Sequence, residues 1–266
     1  MNPQRPPRPP LDLVTLQGLA PWRVEVVEES PSTNAELVAR AREGAPEGLV
    51  LVTEHQTAGR GRLDRVWVTP PRAALTFSVL LRPAVADRWW PWLPLLTGVA
   101  VVEGVRAAGG PACGLKWPND VQVDGRKVAG LLAERVETPT GPAAVLGIGL
   151  NVSQEREELP VPTATSLALE GAPVDRTRLL CAVLDALVGQ VEAWVAAGGD
   201  PSHQLAAAYA ERCVTVGQQV RVHLPSEELL EGRATGVDTG GSLLVEVDGR
   251  TVAVSAGDVV HVRPAG

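Results

Sequence analysis

Glu54-His55-Gln56-Thr57-Ala58-Gly59-Arg60-Gly61-Arg62-Leu63-Asp64-Arg65-Val66-Trp67 follows an apolar run, Leu49-Val50-Leu51-Val52, that has the composition of a buried strand. Two glycines alternate with two arginines, and a third arginine and a tryptophan complete the segment. Glycine lets a backbone approach a ligand closely. Arginine offers a fixed, permanently charged fork that fits carboxylate and phosphate oxygens two at a time. Trp67 adds a flat face for a ring. A strand that delivers such a loop is built to wrap around a small anion.

On the N-terminal side, Trp22 to Glu28 alternates like a half-buried strand. Ser32-Thr33-Asn34 then opens a helix, with Thr33 and Glu36 at capping-box spacing and Gly44 where a C′ residue belongs. A helix N-terminus there supplies donors and positive potential. On the C-terminal side, Ala74–Leu81 reads as a second buried strand and 91–108 as a long apolar helix. Gly114-Leu115-Lys116-Trp117-Pro118-Asn119-Asp120 follows, and the proline ends its strand near Trp117, presenting Asn119 and Asp120 at a strand end. Val121-Gln122-Val123 and Arg126 to Glu134 form a hairpin about Asp124-Gly125. The strand 143–150 ends in Gly147-Ile148-Gly149-Leu150-Asn151, without the helix or later acid of a dinucleotide fold. Residues 155–165, rich in proline and acid, are expected to be a mobile loop, and two amphipathic helices follow at about 176–197 and 202–213. Beyond Val214, short alternating strands at 219–223, 232–237 and 243–247 suggest a small barrel.

Composition narrows the class. The 266 residues suit one large domain with a small one, and an apolar fraction of 45% supports a real core. A net charge of −7 argues against nucleic acid or an anionic membrane as partner, and no uncharged apolar run approaches a span. The arginine- and proline-rich start has no apolar stretch after it and reads as a disordered tail, not a signal. Cys113, Cys181 and Cys213 are odd in number and far apart, as expected of reduced thiols in a cytoplasmic protein, and the four histidines lack metal-ligand spacing. Lys116 and Lys127 are the chain's two lysines, both in the segments above, which suggests sites that need a compact ammonium. No Walker loop, catalytic triad or paired catalytic carboxylates occur. Cations and backbone donors suit a reaction run by positioning and charge neutralisation.

The strand with Gln56, Gly59-Arg60-Gly61-Arg62, Arg65 and Trp67, together with the string Lys116-Trp117-Pro118-Asn119-Asp120, resembles the two signatures of biotin–protein ligases, in the family's order. Leu63-Asp64 departs from the small or basic pair usual there and leaves the arginine spacing intact. The resemblance covers about residues 22–266. It implies an α/β (α+β) catalytic domain, class II aminoacyl-tRNA-synthetase-like with a mixed sheet, over 22–212, and a C-terminal SH3-like β-barrel over 213–266, behind a disordered tail at 1–21. It implies that biotin and ATP, with Mg²⁺, give biotinyl-5′-AMP, and that biotin then passes to a lysine of a biotin carboxyl carrier protein.

Residue by residue, the resemblance places Ser32, Thr33, Asn34, Gln56, Gly59 and Gly130 around biotin. Arg60, Gly61, Arg62 and Lys127 surround its carboxylate and the phosphates, Lys116 joins the catalytic cations, and Arg65, Trp67 and Asn151 contact the adenylate. Asn119 and Asp120 lie near Mg²⁺. The arginine loop is expected to order when an anion sits between its like charges. A lipoate/octanoate–protein ligase of the same fold is the rival, although it is not expected to carry this pair of strings. A biotin-sensing repressor would need a helix-turn-helix that about twenty proline-rich residues cannot build. Whether two copies pair as a homodimer stays open.

Overall fold

The computed structural model describes residues 8–62, 65–172, 175–224 and 228–262. Its order begins α1 (Leu13–Gln17), β1 (Arg23–Ser30), α2 (Thr33–Arg42), β2 (Leu49–Gln56), β3 (Gly59–Arg60), β4 (Val66–Trp67) and β5 (Ala74–Leu81). A 3-10 turn at Asp87–Trp92 leads into α3 (Leu93–Ala107), then β6 (Gly114–Lys116), β7 (Asp120–Val123), β8 (Arg126–Thr138) and β9 (Gly141–Asn151). Helices α4 (Arg176–Ala196) and α5 (Leu205–Arg212) precede β10 (Gln219–His223), β11 (Leu229–Val237), β12 (Leu243–Val247), β13 (Arg250–Val254) and β14 (Asp258–His261).

A seven-stranded mixed sheet runs β1-β2-β5-β9-β8-β7-β6, in which β1 and β2 are parallel and the remaining neighbours antiparallel. The unbroken apolar run of β2 is explained by covers on both faces. Leu49 and Leu51 pack with Leu37 and Ala41 of α2, while Val50 and Val52 join the larger core with α3 and α4. Helices α3 and α4 approach closely at Gly104, where a Cβ would fall 2.5 Å from the Val183 Cα. Helix α4 is the one helix among the described residues long and apolar enough to cross a membrane, but Leu179, Leu180, Val183, Leu184 and Leu187 are buried against the rest of the protein.

The α2 face of the sheet positions the site. Where α2 covers the strands, they carry Leu80, Val136, Ala143 and Val145. Further along the same face the strands turn small or polar apart from Leu132 of β8: Ser78 and Thr76 on β5, Gly147, Gly149 and Asn151 on β9, Glu134 and Gly130 on β8. Gly130 pairs with Gly149, and Leu132 with Gly147. Uncovered sheet thus becomes the floor of a cleft.

The second sheet is five-stranded and antiparallel, ordered β13-β12-β11-β10-β14, two strands richer than the sequence pattern showed. It is fixed to the first by buried tryptophans: Trp92 Nε1 donates to the Thr239 carbonyl at 2.8 Å and Trp117 Nε1 to that of Gly241 at 3.0 Å. The Asp124-Gly125 turn forms as expected and Asp248-Gly249 makes a second one between β12 and β13, with Asp124 and Asp248 both at φ 48°.

Several expectations need correction. Trp22 precedes β1 rather than belonging to it, and its Nε1 donates to the Leu184 carbonyl. No capping box forms at α2, because Ser32 is the N-cap and Glu36 bonds Ser30 and Arg40 instead. The stretch expected to be disordered through residue 21 holds helix α1, with Leu11 and Leu16 in the core, from residue 8 on. Its order comes from a buried pair far away in sequence: Arg176 bonds Glu54 at 2.5 Å and the Pro9 carbonyl at 2.6 Å, and Glu54 accepts the Leu11 N–H at 2.7 Å. The loop expected to be mobile at 155–165 is laced to β8, with Lys127 N–H donating to Thr163 and Thr165 N–H to Lys127, both at 2.8 Å.

Candidate active site: cations over a glycine floor

The cleft is a cavity of about 760 Å³. At one end the N-terminus of α2 brings in Ser32, Thr33 and Asn34, which the Gln56 side chain meets from β2. Thr33 N–H donates to Gln56 Oε1 at 3.0 Å. Ser78 Oγ sits 2.8 Å from Thr33 Oγ1 and 2.5 Å from Asn34 Oδ1. Asn34 Nδ2 donates to the Leu132 carbonyl at 3.1 Å and to Glu134 at 2.8 Å. All three α2 residues are buried, so this end is rigid and polar.

The other end is cationic. Arg60, Arg62, Arg65, Lys116 and Lys127 line the same cavity. Three of them have a carboxylate partner that tempers their mutual repulsion. Arg60 reaches Glu134 at 3.3 Å, Lys127 reaches Asp120 at 2.6 Å, and Arg65 is paired with Asp258 of β14. Arg62 is held by the neutral Asn119 Oδ1 at 3.2 Å. Burial pulls the Arg62 pKa below its ordinary value, with Asp258 and Asp120 acting against it. As a guanidinium it stays a cation. It is therefore the half-buried charge with the most to gain from an incoming anion.

Trp67 lies across the floor between the two ends. A Cβ on Gly149 would fall 2.5 Å from its ring and one on Gly130 3.2 Å from it, so glycine is what lets the indole lie flat. Lys127 Nζ is 5.6 Å from the ring centroid, and the indole Nε1 is buried without a hydrogen-bond partner.

The residues marked in the sequence converge here, with two revisions. Gly59 lies instead in an adjoining hollow that shares the arginine loop, and its Cβ would strike Gln56 Nε2 and the Trp67 carbonyl at 2.3 Å, so it serves close backbone packing. Asn151 borders the cavity, yet its amide is engaged: Nδ2 donates to the Thr165 carbonyl at 2.9 Å and Oδ1 accepts from Gln154 at 2.8 Å. Leu63 and Asp64 lie outside the described residues. Ser78, Glu134 and Asp258 were not foreseen. The one usable signal was a serine inside the apolar run of β5. Asp120 is the lone carboxylate beside Asn119, and no group of three metal-ligating side chains occurs among the described residues.

Comparison with known proteins agrees with this architecture. Residues 25–151 match the biotin/lipoate A/B protein ligase family, and residues 215–262 match the biotin protein ligase C-terminal domain. The chain is 46% identical to a biotin–[acetyl-CoA-carboxylase] ligase of Mycobacterium tuberculosis, over 96% of this chain and 97% of that one. It is 32% identical to the bifunctional ligase/repressor of Bacillus subtilis, over 88% of this chain and 72% of the relative. The biotin protein ligase of Aquifex aeolicus, solved with biotin and ATP, superposes with a TM-score of 0.74 at 27% identity, over 91% of this chain and 99% of that one. A signature loop over a glycine floor, both matched domains and 46% identity to a ligase over nearly the whole length converge on one conclusion: the chain belongs to the biotin protein ligase family.

Proposed function

We propose that the chain activates biotin with ATP to biotinyl-5′-AMP and transfers the biotinyl group to a lysine of a biotin carboxyl carrier protein. The observation that carries this is the single cavity in which a rigid polar end and a cluster of five cations meet over a glycine floor. A bicyclic, uncharged head fits the polar end, and a carboxylate and a phosphate fit the other.

Ser32, Thr33, Asn34 and Gln56 hold the biotin head. Arg62 and Lys127 draw its carboxylate oxygen toward the α-phosphorus of ATP, and the pyrophosphate leaves with the electrons of the broken P–O bond. Arg60, Arg65 and Lys116 spread the negative charge that develops, a contribution of placement rather than of covalent bonding. In the second half the neutral amine of a carrier lysine attacks the biotinyl carbonyl and AMP departs. The indole N–H of Trp67, unpartnered in the burial, is available to an oxygen of the adenylate. Asp120, the carboxylate beside Asn119, would suit a Mg²⁺ brought in with the ATP phosphates rather than a closed all-protein cage. Such an ion would add charge neutralisation at the phosphates. The three free cysteines fit a reducing, cytoplasmic setting.

The test is calorimetric titration of biotin, and separately of lipoate, with and without ATP and Mg²⁺. Biotin binding that tightens strongly with ATP, and no lipoate binding, is the expected result. Lipoate binding without biotin binding would reassign the substrate, and binding of neither would refute the reading.

A further inference from the structure

Two side-chain amides in the polar end have their orientations dictated by partners that cannot change role. Gln56 Oε1 faces the Thr33 backbone N–H, a pure donor, at 3.0 Å, so this end of the amide must be the oxygen and Nε2 is the donor end. Asn34 presents its other end to two pure acceptors, the Leu132 carbonyl at 3.1 Å and the Glu134 carboxylate at 2.8 Å, so that end must be the NH₂. With both of its N–H bonds engaged, Asn34 has only Oδ1 to offer a ligand. That oxygen lies against the floor: a Cβ on Gly147 would fall 2.2 Å from it. Ser78 touches one side of it at 2.5 Å, and an amide oxygen has a second lone pair to give.

We propose that Glu134 and Gly147 are specificity-determining positioning residues, which act through Asn34 to fix an acceptor opposite the donor end of Gln56. This rests on the biotin reading above. A cyclic urea carries N–H donors and a carbonyl acceptor on one ring, so it matches a pocket that shows one fixed acceptor and one fixed donor. A dithiolane ring such as lipoate's carries neither, so it would leave the donor end of Gln56 without a partner and the second lone pair of Asn34 Oδ1 unused, which a buried polar site penalises. Glu134 has the further merit of linking the polar residues to the cations, since the carboxylate that receives Asn34 also receives Arg60 at 3.3 Å. Gly147 acts by absence, because any side chain there would push the Asn34 amide off the floor.

The experiment compares the unsubstituted chain with Glu134→Gln and, independently, Gly147→Ala, by steady-state kinetics and titration with biotin, dethiobiotin and lipoate. Glu134→Gln keeps the size of the side chain but supplies an NH₂ that lets the Asn34 amide turn over. The expected result is a rise of about ten- to a hundredfold in KM for both urea-bearing ligands in parallel, as for loss of one buried polar match. The kcat at saturating biotin and the KM for ATP should be nearly unchanged, and lipoate should be bound no worse. An unaltered biotin KM in both variants would overturn the proposal. So would a rise in the ATP KM equal to that for biotin, since Glu134 would then be acting through Arg60. Failure of the unsubstituted chain to bind biotin would instead remove the reading on which the proposal stands.

Discussion

Arg65, at the far end of the arginine segment, is paired with Asp258, the first residue of β14, with Nη1 3.4 Å from Oδ1 and a closer contact between Nη2 and Oδ2. The small sheet therefore reaches into the cavity, where it also contributes His261, and is not a detached appendage. The Arg65 side chain is 63% exposed and Asp258 33%, so water screens the pair, and such bridges contribute under about 1 kcal/mol. An arginine engaged elsewhere must be released before it meets phosphate. Asp258→Asn should therefore lower the KM for ATP by up to about fivefold, the factor that matches 1 kcal/mol. An ATP titration of the variant checks it, and a higher KM would show that the pair orients Arg65 for the nucleotide.

His261 gives a pH signature. Burial, and next the charge of Lys116, hold its pKa below the ordinary value of 6.5. The unfolded chain takes up the proton first as pH falls, so the stability that the neutral imidazole contributes is present above pH 6.5 and is lost on acidification through the lower folded value. The thermal midpoint should fall between pH 7 and pH 5. His261→Gln, which can retain the contact to Thr215 Oγ1 at 3.2 Å, should flatten that slope in melts across the same range.

Arg62 tests whether geometry or charge matters for the anion. Arg62→Lys preserves the charge but loses the fork, and its hydrogen bonds to a charged ligand correspond to roughly 1.5–3 kcal/mol. The expectation is a fall in kcat/KM for biotin of about ten- to a hundredfold. An unchanged value would move the carboxylate site to Lys127.

Gly149→Ala should displace the Trp67 indole from the floor, raising KM for biotin or ATP and lowering the thermal midpoint. If contact with the ring is the cause, Trp67→Leu in the same chain should recover much of the stability. A double-mutant cycle in urea melts reads this coupling directly.

Much of this was legible in the sequence because local patterns fixed it. The run at Leu49–Val52, the Asp-Gly hairpin and the two cation-bearing strings all stand where expected. What escaped notice depends on pairs distant along the chain. Ser78 and Glu134 look like ordinary strand residues until β5 and β8 bring them against Asn34. Residues 8–17 are ordered because Arg176 and Glu54, 122 residues apart from each other, hold them. Asn151, a reasonable ligand contact by its place after a Gly-x-Gly strand, has its amide engaged by Thr165 and Gln154, partners that no local pattern announces.

The buried Arg176–Glu54 pair also sets a rule for anyone who trims or tags this enzyme. Glu54 stands two residues before Gln56, so the strand that anchors the strap at residues 8–17 also carries the polar end of the cavity. Cutting at residue 22, where composition invites it, would strip the Pro9 carbonyl and Leu11 N–H from two ions that are almost wholly enclosed. Arg176 and Glu54 would keep each other, but each lost hydrogen bond to a charged group corresponds to roughly 1.5–3 kcal/mol, a sizeable share of a typical domain's margin. Fusion partners belong ahead of residue 8, and a shortened form made for convenience would forfeit yield and substrate affinity together.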